Sequence, residues 1–118
     1  MKVAEILVII KQSANLNEEE YQEVEKSYYE IVNLKMVKLL GESLTPEQQN
    51  IFITDLKNIK DGTPLDQVAQ MLKKFGVDPD TARGFIDLSA KQAFKEIIKV
   101  LESRIPKTAN KELTKIIA

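Results

Sequence analysis

The stretch DPDTARGFIDLSAKQAFKEIIKVL, residues 78–101, decides the fold class. It opens with Asp78-Pro79-Asp80, a helix start. The Asp78 carboxylate can accept an orphan backbone N–H, Pro79 has no N–H to lose in the first turn, and both acids suit the positive end of the helix dipole. From there Ala82, Ile86, Ala90, Ala93, Ile97, Val100 and Leu101 recur at helical spacing as one apolar stripe. The pattern predicts a long helix near 79–104, ended by Pro106.

The same punctuation recurs upstream. Thr45-Pro46-Glu47-Gln48 is a capping box, in which the Thr45 hydroxyl and the Gln48 side chain satisfy each other's backbone amides. Thr63-Pro64-Leu65-Asp66 repeats the device, and Asn17-Glu18-Glu19-Glu20 is a cap followed by three acids. Gly41, Asp61-Gly62 and Gly76 are stops. Helices are therefore expected near 18–40, 46–60 and 64–75. Phe52, Leu56 and Ile59 form the apolar face of one, and Leu65, Val68, Leu72 and Phe75 that of another. Residues 31–40 differ, with Ile31, Val32, Leu34, Met36, Val37, Leu39 and Leu40 apolar on nearly every side. A helix of that kind belongs at the middle of a bundle.

Both ends are more ambiguous. Val3 to Ile10 is rich in β-branched residues, yet no other segment offers a strand partner, so a short helix is expected. Leu113, Ile116 and Ile117 suit a last short helix, joined through a loose connection at Ser103 to Asn110. The expectation is a single all-α domain over 1–118, a compact bundle of five to six helices with a central apolar helix. Its core bundle is 17–104, with terminal helices in 1–14 and 108–118.

Composition supports this reading and excludes several kinds of chemistry. At 118 residues, with 43% hydrophobic and 30% charged, the chain suits one ordinary globular core. It has no Cys and no His. That removes Cys/His zinc sites, haem or iron–sulfur ligation through those residues, and Ser-His or Cys-His nucleophile pairs. Asp78 to Ser89 fails as a calcium loop, because Arg83 stands where glycine is needed and Ser89 where the bidentate acid belongs. Glu18, Glu19, Glu20, Glu23 and Glu30 lack the histidines of a carboxylate-bridged metal bundle. No glycine-rich phosphate loop occurs. The expectation is a non-enzyme with no cofactor and no metal. The longest apolar run, Val3 to Ile10, is too short to span a membrane and resembles no signal peptide, so a cytoplasmic protein is expected.

Charge is uneven although the net is −1. Residues 1–30 hold three lysines against seven glutamates, a sum of −4; residues 91–118 hold seven cations against three glutamates, a sum of +4. Lys91, Lys95 and Lys99 form a basic stripe at four-residue spacing, and Lys107, Lys111 and Lys115 continue the bias. Tyr21 and Tyr28, seven apart, share a helix face from which Tyr29 turns away. These six residues, Tyr21, Tyr28, Tyr29, Lys91, Lys95 and Lys99, are the candidates for partner binding. The expected partner is a protein, a second copy or another chain, because apolar residues at the two ends exceed what a small bundle covers. The alternative is a nucleic-acid- or ribosome-associated protein using the lysine stripe.

The order of elements, a long acidic-starting helix with the apolar segment Ile31–Leu40, then Gly41, Leu44-Thr45-Pro46-Glu47-Gln48, a short helix with Val68 and Leu72, and a Lys/Glu-rich last helix, resembles a family of small helical bacterial proteins of unknown function. The resemblance covers residues 17–102 and implies a freestanding bundle, with no activity and no site residues attached.

Overall fold

A computed structural model describes residues 2–40, 43–59 and 65–118, with residues 65 and 66 as backbone alone. Among the described residues there are six helices and no strand: α1 (Val3–Ser13), α2 (Glu18–Leu40), α3 (Pro46–Lys57), α4 (Leu65–Lys73), α5 (Pro79–Val100) and α6 (Lys107–Ile117). The fold is an all-α bundle.

Local chemistry sets most of the boundaries. Asn17 Oδ1 accepts from the Glu20 amide at 2.8 Å and Glu20 Oε1 accepts from the Asn17 amide at 3.1 Å, a reciprocal box that starts α2. The Thr45 and Gln48 pair does the same for α3. Asp78 accepts from the amides of Asp80 and Thr81 at the start of α5, as a cap and not as a calcium ligand. Gly76 ends α4 at φ +77°, where the Val77 amide returns to the Leu72 carbonyl and the Gly76 amide to Lys73. That left-handed turn closes the helix with its last carbonyls satisfied. Asn15 does the same for α1 at φ 52°, with the buried Leu16 bonded back to Lys11. The stops at Gly41 and Asp61-Gly62 and the start at Thr63-Pro64 lie outside the described residues.

Val3 to Ile10 is helical despite its β-branched content, because Ile6, Leu7 and Ile10 bury one face. The end of α5 corrects the sequence reading. The helix stops at Val100 with Leu101 as its cap, four residues short of 104, and Pro106 occupies the N-cap position of α6. The connection is not loose: the Arg104 and Ile105 amides both bond to the Leu101 carbonyl, and Ile105 is buried.

The hub is α5, which packs against α2, α4 and α6. Ala82, Ala90 and Ala93 are fully buried on it and let neighbouring backbones approach, while Phe94 stacks on Tyr28 of α2 at 4.2 Å. Glu20 meets Arg104 just past α5, and Tyr28, further along α2, meets Phe94, earlier in the sequence, so α2 and α5 run antiparallel. Residues 31–40 are not enclosed on all sides. Val32, Met36 and Leu40 continue the Tyr28 stripe into the core, but Leu34 is 71% exposed. The molecule measures 44 × 27 × 19 Å, and its thin dimension leaves the outer face of α2 to solvent. Val100 likewise ends the α5 stripe at 79% exposure.

Gly84 is exposed in the second turn of α5, and a Cβ built there meets nothing within 4 Å. With no strained backbone to protect, Gly84→Ala is expected to raise stability by about 0.5–1 kcal/mol. A urea midpoint unchanged or lowered would contradict this.

Candidate interaction surface

The six residues singled out in the sequence separate into different environments. Tyr28 is fully buried, stacked on Phe94 and edge-on to Tyr29 at 5.2 Å, so it is core and no surface contact. Its hydroxyl has no hydrogen-bond partner among the described residues, and burial, with Tyr29 adding a smaller push, drives its pKa far above the ordinary phenol range. Tyr29 is half-buried against the same cluster. Tyr21 is half-buried too, with the Lys11 ammonium 4.8 Å from its ring centroid, and burial followed by the Glu25 charge raises its pKa. The tyrosines therefore line the core and its edge.

The lysine stripe is also divided. Lys91 is held by Asp87 at 3.1 Å and borders a cleft between α1, α5 and α6 whose floor is Ile6, Ile9 and Ile116. Lys95 and Lys99 are exposed, form no ion pair among the described residues, and border a second groove between α5 and α6 floored by Ile98 and Ile117. Glu102 lies in that groove beside them. The basic face is thus narrower than the spacing implies: two unpaired cations, with no aromatic side chain lining the groove.

The terminal segments carry only part of the spare apolar surface expected of them. Ile6, Leu7, Ile10, Leu113 and Ile117 are buried within the chain, where α1 packs on α6. Val8 and Ile116 remain outward at 43% and 50%. The larger exposures are Val100 and Leu34, followed by Ile51 at about the level of Ile116, with Leu88 equal to Val8. Neither Leu34 nor Leu88 was singled out by sequence. Asn33, Lys35 and Lys38 interrupt residues 31–40, but the segment reads as apolar on nearly every side, so the outward register of Leu34 does not stand out.

One end of the bundle is tied by charge. Arg104 donates through Nη1 to Glu20 Oε2 at 2.5 Å and through Nη2 to Glu20 Oε1 and to the Asn15 carbonyl. Lys11 pairs with Glu18 beside it. The Arg104 hydrogen bond first, and the Asn17 amide second, hold the Glu20 carboxyl below its usual pKa. A depressed carboxylate stabilises the fold above its unfolded pKa and loses that contribution as pH falls through its folded pKa. Glu20→Gln should therefore lower Tm at neutral pH, with the gap to wild type closing below the usual carboxylate range. A gap that stayed constant down to acid would show that the pairing adds nothing.

Among the described residues no three potential metal-ligating carboxylates converge, and no helix is long and apolar enough to cross a membrane. No protein family, curated protein or solved structure matches the chain.

Proposed function

We propose that this chain is a non-enzymatic helical interaction protein of the cytoplasm, whose partner is another protein or a second copy of itself. The observation that supports this most is Leu34, 71% exposed on the outer face of α2 while the same helix buries Tyr28, Val32, Met36 and Leu40. Leu34 keeps an apolar side chain in water on the longest helix, and a partner that covered it would remove that area from solvent. Against catalysis stands the position of Tyr28, whose strongly displaced pKa belongs to a hydroxyl sealed in the core where no substrate reaches it. The likeness to small helical bacterial proteins belongs to the same proposal.

A second reading, nucleic-acid or ribosome association, draws on Lys95 and Lys99, exposed and unpaired among the described residues. Two cations beside a carboxylate make a short phosphate track.

The test is capture from nuclease-treated lysate of the native host, with the wild-type chain and a Leu34→Asp variant as baits. A stoichiometric protein held by wild type and lost by the variant supports the module. Capture that disappears with nuclease moves the function to the lysine stripe, and a chain that neither captures a protein nor self-associates overturns the proposal.

A further inference from the structure

The outer face of α2 carries a charge pattern that the outer face of α5 answers. Glu19, Glu23, Glu30 and Leu34 stand four, seven and four residues apart, so they share one helix face; all four are exposed. On α5, Leu88, Lys95 and Lys99 stand seven and four apart and are exposed as well. No ion pair among the described residues engages Glu19, Glu23, Glu30, Lys95 or Lys99. One face thus reads acid, acid, acid, leucine, and the other leucine, base, base.

Laid antiparallel with Leu34 on Leu88, the faces match in sign and order from Leu34 back to Glu23, while Glu19, fifteen residues before Leu34, falls past the end of α5 at Val100. Glu23 lies eleven residues before Leu34 and Lys99 eleven after Leu88, each about 16 Å along its helix at 1.5 Å per residue. Glu30 then falls between Lys91 and Lys95. The minority charges are Lys26 and Lys38 on the α2 face, Glu96 beside Lys95 and held by Lys35, and Glu102 beyond Lys99, and Lys91 is already occupied by Asp87. Inside one chain these faces cannot meet, because α2 turns its Tyr28–Met36 side toward α5 and its Glu23–Leu34 side away.

Resting on the reading of this protein as an interaction module, we infer that the occupant of the α5 basic face is α2 of a second copy. The two surfaces differ, so association is head to tail and grows into a ring or an open chain. Its strength comes from exposed pairs around one leucine contact, which makes it weak and sensitive to salt.

Sedimentation of the intact chain at about 0.1 M and about 1 M salt reads this directly, since screening shortens from about 10 Å to about 3 Å between them. The expected result is a weight-average mass above 13.4 kDa that rises with concentration at low salt and returns to monomer at high salt. Two charge-reversed variants identify the faces: Glu23→Lys with Glu30→Lys, and Lys95→Glu with Lys99→Glu. Each alone should be a folded monomer by circular dichroism, and mixing the two should restore association, because each supplies the native face that the other lacks. Wild type that stays monomeric at low salt, or a mixture that stays monomeric, overturns the inference. Association that survives either reversal places the contact elsewhere and overturns this register while leaving the module intact; lysate capture lost with Leu34→Asp by a monomeric wild type does the same.

Discussion

Phe94→Ala is expected to cost about 3–5 kcal/mol, the range for deleting a fully buried aromatic ring. Phe94 is 0% exposed on the hub helix, stacked on Tyr28 at an interplanar angle of 27°. The deletion removes contacts to α2 at the most extensive helix–helix packing among the described residues. A domain of this size holds roughly 0.05–0.15 kcal/mol per residue in total, so one truncation consumes a large share of it. The melting temperature followed by circular dichroism should fall by more than about 10 °C. Phe94→Leu keeps most of the volume and should fall much less. If the alanine variant melted within a few degrees of wild type, α2 and α5 would not be joined through this ring.

Tyr28→Phe should move stability the other way. The Tyr28 hydroxyl is buried without a hydrogen-bond partner among the described residues, so folding strips it of water with no bond from them in return. An unsatisfied buried polar group costs about 1–3 kcal/mol, and replacing it by hydrogen leaves the ring stack on Phe94 and the edge contact with Tyr29 in place. The variant is expected to gain about 1 kcal/mol, read as a higher urea midpoint at unchanged slope. A loss of stability would show that the hydroxyl has a partner in solution, such as a buried water. Phe94→Ala and Tyr28→Phe are in contact, so the double variant will not be additive; the gain from phenylalanine should shrink once the facing ring is gone.

The helix starts were legible because capping is local chemistry. Asn17, Thr45 and Asp78 each find their partners within three residues, and Gly76 closes its helix within a turn. The last helix was half legible: Leu113 and Ile117 showed its buried face, but Pro106 read as a stop for α5 when it is the start of α6. A proline satisfies both roles, since it cannot extend a helix, and here at φ −58° and ψ 145° it stands as the extended cap residue just before the next. Asn15 gave little warning of its left-handed turn, because asparagine adopts that conformation only in some contexts.

The candidate surface was far less legible. The tyrosines looked alike in sequence, yet Tyr28 is core and Tyr21 is its edge. Lys91, Lys95 and Lys99 share a spacing, but four-residue steps drift around a helix of 3.6 residues per turn, so Lys91 faces one cleft and Lys95 and Lys99 another. The Arg104 tie to Glu20 joins residues 84 apart, a distance across which no periodicity speaks.

By itself, then, the sequence determined the class of the fold, most of the helix starts and the apolar stripes, because each depends on hydrogen bonds and spacing within a turn or two. Only the tertiary structure decided that α5 is the hub, that the two ends cover each other, and that Leu34 and the acidic face of α2 point outward. The reason is physical: a stripe states that one side of a helix must leave water, while which neighbour covers it, and which apolar residue remains uncovered, depends on contacts between segments distant along the chain.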